Sequence, residues 1–406
     1  MGERNSDGVK VFSGLFWKFG ERICAQGVSF IVSIVLARLL MPSEYGIVSL
    51  IIVFINIANV FVTSGLSSAL IQKKDADETD FSTVFYCTVI LSVILYFLLF
   101  LVSPIVADFY KTPELTIYLR VFSVKILISA YNSIQHAYVS RHLMFRKFFF
   151  STIIGTIISG VVGIAMAYMG FGAWAIIAQY LVNSFIDTVV LGFTVSWRPK
   201  FLFSKNSMIT LVGFGWKVLA TDLLGTVFDN LRSLLIGRFY SSADLAYYNK
   251  GQQFPSLIGN NIDTTLTSVL FPAMSNNSDD PKRVKEMTRR SMKTSSFVIF
   301  PLMAGLIAVA KPMVIILLTE KWIECVFFLQ LLCISQALST ISRANLQAIK
   351  ALGRSDITLK LELIKKPLYL AILIVSIKFG VEAIVVSMVI YSFIATAINA
   401  FPNKKL

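Results

Sequence analysis

Residues 45–70 read YGIVSLIIVFINIANVFVTSGLSSAL, an apolar stretch of 26 residues without one charged side chain. A helix needs about 20 mostly apolar residues to cross the hydrocarbon core of a bilayer. The stretch is therefore long enough to span a membrane as one helix, which means that lipid rather than water is the solvent of this fold.

Eleven further apolar runs of helix length follow the same pattern. The chain of 406 residues is 56% hydrophobic and 15% charged, with a mean hydropathy of +0.73, and no loop is large enough for a soluble domain of normal size. The sequence predicts an all-α polytopic membrane protein with about 12 transmembrane helices. Glu320 and Lys321 interrupt the tenth, so we place an outer loop there and start the tenth helix near Trp322. The predicted spans are 14–39, 45–70, 82–107, 115–138, 148–169, 173–196, 208–237, 253–275, 288–310, 312–319 continuing through 323–349, 357–378 and 380–401.

The distribution of Lys and Arg predicts the orientation of the spans. Counted with the helix ends that adjoin them, the N-terminus, the loops after even-numbered spans and the C-terminus hold 23 of the 37 basic residues, whereas the loops after odd-numbered spans hold 7. Cytoplasmic segments of membrane proteins are enriched in Lys and Arg, so both termini are predicted to be cytoplasmic. The most basic loop is 276–293. This asymmetry also explains the net charge of +14, so we expect no nucleic-acid partner.

The chain contains an apparent internal repeat. Phe16-Trp17-Lys18 in span 1 matches Gly215-Trp216-Lys217 in span 7, and Ala37-Arg38-Leu39 matches Gly237-Arg238-Phe239. Chance similarity between apolar helices is the alternative interpretation. Copies that begin six spans apart start on the same side of the membrane, which makes them parallel repeats.

Parallel repeats predict the domain organisation. We expect two six-helix halves, residues 1–205 with spans 1–6 and residues 206–406 with spans 7–12, around a central cavity. Repeats of this kind commonly build alternating-access transporters, in which the substrate site lies between the halves.

Polar side chains form a stripe along the first helix of each predicted half. A spacing of three or four residues keeps such side chains on one helix face. A charged group at the bilayer centre costs about 2.5–3.5 kcal/mol on insertion scales, so it normally faces a cavity or a partner. The planar fork of Arg binds two phosphate oxygens at once, which predicts an anionic or pyrophosphate-bearing substrate. The predicted substrate-binding residues are Arg22, Lys18, Gln26, Lys217, Asp229, Arg232 and Arg343.

Several of these residues have an alternative structural role. The long side chains of Lys18, Lys217 and Arg343 are equally suited to reach the membrane surface. Arg232 is suited to pair with Asp229, three residues earlier on the same helix. Further candidates to line a cavity are Arg120, Lys125, Asp187 and Asp263.

The sequence contains no motif for catalysis or for a cofactor. The GxSxG, Walker A and HExxH patterns are missing from the 406 residues, so we expect neither an enzyme nor an ATP-driven pump. The two His and four Cys residues lack metal-ligand or paired spacing, and we expect no metal, cofactor or disulfide framework. The energy for transport would come from a gradient or from the downhill flow of the substrate.

Four stretches occur in order along the chain: LARLLMPSEYG at 36–46, ALIQKKD at 69–75, LIGRF at 235–239 and LFPAMS at 270–275. Together they resemble the Wzx-type lipopolysaccharide and capsular-polysaccharide flippases. These flippases form the polysaccharide-transporter branch of the multidrug/oligosaccharidyl-lipid/polysaccharide exporter (MOP) superfamily. The resemblance extends over nearly the whole chain.

The resemblance implies a flippase for undecaprenyl-pyrophosphate-linked oligosaccharide units in the cell inner membrane, serving lipopolysaccharide, capsule or exopolysaccharide synthesis. It implies membrane lipid and the polysaccharide polymerase machinery as further partners. It also implies a V-shaped bundle whose cavity is lined by basic residues of the first helices, here Arg22 and then Lys18 and Lys217. One alternative is a multidrug exporter of the same superfamily, which usually takes cations. Another is an integral-membrane O-antigen polymerase or ligase, which would be expected to have a large periplasmic loop.

Overall fold

A computed structural model shows a chain whose regular secondary structure is entirely helical within the described residues. This confirms the predicted all-α class. The backbone is described for residues 2–73, 75–277 and 279–405. Side chains are described for residues 17, 19–73, 75–264, 266–268, 270–277, 279–280, 282–354 and 356–402.

Fourteen α-helices and two short 3-10 turns follow one another in this described part of the chain. The 3-10 turns are Glu320–Trp322 and Ile377–Phe379. The helices are α1 (Gly2–Leu39), α2 (Pro42–Thr63), α3 (Gly65–Gln72), α4 (Glu78–Tyr110), α5 (Leu115–Phe122), α6 (Val124–Arg141), α7 (Phe145–Tyr168), α8 (Ala173–Thr194), α9 (Lys205–Phe239), α10 (Ser242–Ser275), α11 (Pro281–Leu318), α12 (Cys325–Ala351), α13 (Ser355–Ser376) and α14 (Val381–Lys405).

Ten segments of the described chain are long and apolar enough to cross a membrane. Two of these segments consist of two consecutive helices each, α2 with α3 and α5 with α6. The helices α10 and α13 have the length but carry more polar side chains, among them Asp263 in α10 and Lys365 in α13. The predicted number of about 12 spans is consistent with these helices, and the count itself stays a prediction.

The second and fourth spans are each interrupted at a serine, which the sequence did not predict. Ser64 separates α2 from α3, and Ser123 separates α5 from α6. Ser123 Oγ donates a hydrogen bond to the carbonyl oxygen of Leu119, at 2.6 Å, one turn earlier, and such back-bonding competes with the backbone ladder. In the second span Ser64 directly precedes Gly65, where a second backbone comes close.

The loop before the tenth helix lies at the predicted place, but the helix boundaries differ. Residues 312–318 belong to α11, which continues to Leu318, and not to the tenth span, whose predicted start near Trp322 is close to the observed start at Cys325. Thr319 ends α11 because its φ of 81° is incompatible with a right-handed helix. A 3-10 turn follows, and α12 begins at Cys325.

The segment 276–293, predicted to be the most basic loop, is largely helical. Asp280 caps α11, since its Oδ1 accepts a hydrogen bond from the backbone N–H of Arg283 at 3.1 Å, and Pro281 at the first helical position has the backbone angle that a helix start needs. The basic residues from 282 to 293 therefore lie on a helical extension, where each has a fixed face.

The second helix of each predicted half starts with the same cap. At α2 the backbone N–H of Met41 donates to Glu44 Oε2 at 2.7 Å, and at α10 the backbone N–H of Ser241 donates to Asp244 Oδ2 at 3.0 Å. In both helices the acid lies three residues after the cap. The offset of 200 residues that pairs Arg38 with Arg238 in the sequence repeat also pairs Glu44 with Asp244, so the local structure agrees with the repeat.

The chain divides into two compact units, residues 1–238 and residues 239–406. This division falls after α9, one helix later than the predicted boundary at 205 and 206. The predicted halves follow from the repeat alone and stay a prediction. The placement of α9 with the first unit has a physical reason at its crossing with α3.

Two glycines form this crossing of α9 and α3. A β-carbon added at Gly215 would lie 2.8 Å from the carbonyl oxygen of Gly65, and one added at Gly65 would lie 2.7 Å from the carbonyl oxygen of Gly215. Small residues let helix backbones approach closely in membranes. Only glycine at both positions permits this approach.

We expect Gly215→Ala to lower the melting temperature of the purified protein, because the two backbones must separate. Overpacking of this kind costs about 1–3 kcal/mol. Gly213→Ala is the matched control on the same helix, since no atom lies within 4 Å of a β-carbon there. Ala favours the helix over Gly, so the control should be as stable as the natural protein or slightly more stable. Thermal unfolding in detergent measures both variants, and equal melting temperatures would contradict this view of the crossing.

Candidate functional site

The predicted stripe on α1 lies away from the face that packs in the first unit. Trp17 of α1 contacts Phe149 of α7 edge to face, with ring centroids 5.1 Å apart, and Val32 of α1 covers Gly160 of α7. Arg22 lies about 120° around the helix from this contact face. Its side chain is exposed, whereas Gln26 one turn further on is half-buried.

On α9, Lys217 is also separated from the helix contact. It lies two residues after Gly215, and therefore about 200° around the helix from the crossing with α3. Lys217 and Asp229 are exposed, and Arg232 is half-buried. The Lys18 side chain lies outside the described residues, so the predicted site is described at six of its seven positions.

A polar cavity of about 430 Å³ lies within the first unit, between α2–α3, α6 and α8. Its wall contains Lys125, His136 and Asp187. Of these, Lys125 and Asp187 were predicted as candidates to line a cavity. The remaining lining is mostly hydroxyl and amide side chains, among them Asn59, Thr63, Ser129, Asn132 and Ser184. Groups of this kind form hydrogen bonds with neutral, hydroxylated ligands and with water.

Asp187 organises the polar groups of this cavity. Its Oδ2 accepts a hydrogen bond from Asn132 Nδ2 at 2.7 Å and lies 3.1 Å from His136 Nε2. The His136 ring also packs on Phe148, with centroids 4.6 Å apart. The carboxylate is therefore held by two residues of α6, and it neutralises His136 whenever that ring is protonated.

Lys125 lies at the other end of the same cavity. Its Nζ lies 5.2 Å from the ring centroid of Tyr180 and 5.7 Å from that of Phe122. Cations over aromatic faces are stabilised by the ring quadrupole. Lys125 and Ser140 both line the cavity, and fifteen residues of helix separate them, so the cavity extends about 22 Å along α6.

The second unit has its own polar cluster between α10 and α12. Arg343 Nη1 lies 2.8 Å from Asp263 Oδ2, and the Arg343 side chain is 52% exposed whereas that of Asp263 is 3% exposed. One turn away, Gln347 Nε2 donates to Thr267 Oγ1 at 3.3 Å. Arg343 is thus the one predicted site residue of the second unit. Its partner, Asp263, was predicted as a candidate to line a cavity.

The sequence matches the family described as "Polysaccharide biosynthesis protein" over residues 35–327. This match begins near the end of α1 and continues into α12. It covers well over half of the chain.

Two relatives cover most of the sequence. "Teichuronic acid biosynthesis protein TuaB" of Bacillus subtilis (strain 168) is 26% identical over 352 residues, which are 86% of this chain and 72% of the relative. "Lipopolysaccharide biosynthesis protein WzxC" of Escherichia coli (strain K12) is 23% identical over 395 residues, which are 97% of this chain and 80% of the relative. Both names place the relatives in the synthesis of surface polysaccharides.

Solved transporter structures share the fold. Lipid II flippase MurJ in an inward closed conformation superposes with a TM-score of 0.78 at 16% identity, covering 97% of this chain and 87% of that chain. A multidrug resistance MATE family transporter of the MOP superfamily, in an inward-facing conformation, gives a TM-score of 0.71 at 12% identity, covering 96% of this chain and 97% of that chain. At these identities the likeness shows the fold alone, and it agrees with the predicted fold class.

Proposed function

This chain belongs to the family of polysaccharide biosynthesis proteins, and from that membership we propose that it is a flippase for undecaprenyl-pyrophosphate-linked oligosaccharide units. It would move them from the cytoplasmic to the periplasmic leaflet of the cell inner membrane, for lipopolysaccharide, capsule or exopolysaccharide synthesis. A relative named for lipopolysaccharide synthesis, WzxC, aligns with 97% of the chain, and the fold is shared with a lipid II flippase. Polymerase machinery on the periplasmic side would consume the product.

The observation that carries the proposal is a cation on a membrane-spanning helix. Arg22 lies inside the spanning segment Phe19–Leu39 and its side chain is exposed. A charge in hydrocarbon is costly unless it meets water or a partner. The guanidinium fork fits the oxygens of a phosphate, so a pyrophosphate headgroup is the partner that we assign to it.

The other predicted residues take supporting roles in this proposal. Lys18 and Lys217 add positive charge for the pyrophosphate, while Gln26 and Asp229 supply hydrogen-bonding groups for sugar hydroxyls. Arg232 and Arg343 add further cations along the path of the headgroup. No group in this scheme forms or breaks a covalent bond, in keeping with a transporter rather than an enzyme.

Transbilayer movement of the lipid tests the proposal directly. Liposomes with the purified protein would contain a fluorescent undecaprenyl-pyrophosphate-linked oligosaccharide, and an impermeant quencher would report the fraction in each leaflet. We expect the protected fraction to become quenchable faster than in protein-free liposomes. Movement no faster than in those liposomes would refute the flippase.

A multidrug exporter is the second candidate, because the fold is also shared with a MATE transporter. Such exporters usually take cations, which acids in the cavity would attract, whereas the first helix of each predicted half carries mainly Lys and Arg. A fluorescent lipophilic cation in the same liposomes separates the two. Transport of the cation without movement of the lipid would replace our proposal with the exporter.

The proposed direction of transport requires cytoplasmic termini, and cysteine labelling tests this topology. In a variant without Cys24, Cys87, Cys325 and Cys333, we expect Asn277→Cys to resist an impermeant maleimide in intact cells and to react after the cells are opened. The charge distribution places residue 277 in the cytoplasm.

Glu114→Cys is the control for that experiment. Glu114 lies between α4 and α5, is exposed, and is predicted to face the periplasm, so it should react in intact cells. Labelling of position 277 from outside would mean that the topology is the inverse of the one predicted.

A further inference from the structure

A cleft of about 710 Å³ lies at one end of the second unit, where α11 begins and where α12 and α14 end. The helix α12 packs against both α11 and α14, and its residues form the floor. The volume is within the range of pockets that bind small molecules, about 300–1,000 Å³. This cleft is separate from the predicted substrate residues, none of which lines it.

Each helix presents one face to the cleft. On α12 the lining residues are Ile341, Asn345, Ala348 and Leu352, whose spacings of four, three and four residues keep them in a single row. The row is about 16 Å long. Ala400 of α14 also lines the cleft, and the small side chains at positions 348 and 400 leave its interior open and mainly apolar.

The rim of the cleft is basic. Lys282, Lys285 and Arg289 of α11 line it at spacings of three and four residues, and all three are exposed. Glu286 lines the same rim, which leaves an excess of two positive charges. In the described part of the chain the salt bridges within 4.0 Å include none of these three cations.

We propose that this cleft is a binding site for an anionic phospholipid, with the phosphate headgroup at Lys282, Lys285 and Arg289 and an acyl chain over the row on α12. A basic rim above an apolar floor is complementary to an amphiphile with a negative head. The three neutral hydroxyl or amide side chains that line the cleft, Thr288, Asn345 and Thr396, each already donate to a backbone carbonyl of their own helix, whereas a sugar headgroup would need such groups as partners. A membrane phospholipid therefore fits the lining better than a lipid-linked oligosaccharide.

Native mass spectrometry of the purified protein tests the site, with phosphatidylglycerol and phosphatidylcholine of identical acyl chains as probes. We expect phosphatidylglycerol to bind more tightly. Each basic residue near a membrane surface contributes about fivefold to binding of an anionic lipid, so Lys282→Gln with Arg289→Gln should weaken binding about 30-fold. Equal binding of the two lipids to the natural protein would overturn the proposal.

The matched control is Arg283→Gln with Arg290→Gln, which removes the same charge at the same spacing of seven residues. Both control residues are exposed and lie about 100° around α11 from the rim. We expect the control to bind phosphatidylglycerol as the natural protein does. Equal losses in the two double variants would mean a diffuse attraction to the basic helix and would overturn the site.

The floor has its own test. Ala400→Phe fills the apolar interior without changing the charge. It should weaken the binding of phosphatidylglycerol as strongly as the loss of the rim cations does. Unchanged binding in a folded Ala400→Phe variant would mean that the acyl chain does not lie in the cleft.

Competition between two lipids tests the identity of the ligand. Preference for an undecaprenyl phosphate over phosphatidylglycerol would assign the cleft to the isoprenoid lipid and overturn the phospholipid proposal. These readouts do not depend on transport, so they stand apart from the flippase assay.

Discussion

A strain whose only copy of this protein carries Arg22→Ala is expected to lose its surface polysaccharide while the amount of protein in the membrane stays normal. Arg22 is exposed on α1 and lies about 120° from the face that contacts α7, so no packing is lost. Loss of export would then report the loss of a ligand contact. Immunoblots of membranes and staining of surface polysaccharide measure the two quantities.

Arg22→Lys sharpens this prediction because it keeps the charge and removes the planar fork. Lys is a point charge that cannot hold two phosphate oxygens in the bidentate arrangement. The loss of one charge-assisted hydrogen bond is worth about 1.5–3 kcal/mol, so we expect export to fall at least about tenfold. Full export with Lys would mean that only the positive charge matters at this position.

Arg354→Ala is the control for both variants. Arg354 is an exposed arginine outside the spans, paired with the equally exposed Asp356 at 3.2 Å, and such surface pairs contribute about 0–1 kcal/mol. We expect normal export from this variant. Normal export from Arg22→Ala as well would remove Arg22 from the substrate site.

The class of the fold could be predicted from the sequence because a bilayer leaves few choices. Apolar runs of about 20 residues must form helices, since hydrocarbon provides no partner for free backbone groups. The spans 45–70 and 115–138 could be predicted for that reason, but their interruptions at Ser64 and Ser123 could not. Ser123 bonds to a carbonyl one turn earlier, and composition does not encode that local hydrogen bond.

Helix ends were predicted less well than helix centres, again for a physical reason. Charges mark where a chain leaves the hydrocarbon, and they were interpreted as loops. The structure instead continues α11 back to Pro281, whereas Lys360, Lys365 and Lys366 lie on α13, within the predicted span 357–378. Lys365 pairs with Glu362 at 2.6 Å, so a short-range partner lets a basic residue remain on a helix.

The polar cavity of the first unit was not predicted, because charged residues on the first helix of each half are the more prominent feature of the sequence. A signal was present in the fourth span, where Lys125, Ser129, Asn132, His136 and Ser140 follow one another at spacings of four, three, four and four. All five line the cavity. Neutral hydroxyl and amide groups cost little in a helix, so their periodicity is informative only when a neighbouring helix, here α8 with Asp187, supplies the facing wall.

Arg343→Gln is expected to lower the stability of the protein, because it leaves the Asp263 carboxylate buried without its cation. The two side chains are joined at 2.8 Å, with Asp263 3% exposed and Arg343 52% exposed. Removal of one partner from a buried ion pair lowers the free energy of unfolding by about 3–5 kcal/mol. Because Arg343 is half-exposed, we expect a loss at the lower end of this range, about 3 kcal/mol. Asp263→Asn should cost much less, because the remaining cation reaches water. Thermal unfolding in detergent measures this asymmetry, and an unchanged melting temperature in Arg343→Gln would contradict it.

The double variant Asp263→Asn with Arg343→Gln separates a structural role of Arg343 from a role in the substrate site. It removes both charges, so the melting temperature should return close to that of the natural protein. If Arg343 only neutralises Asp263, export should return with stability. We expect stability to return and export to stay low, because the half-exposed guanidinium is proposed to contact the pyrophosphate as well as Asp263. Recovery of export in the double variant would assign Arg343 to the architecture of α10 and α12 and remove it from the site.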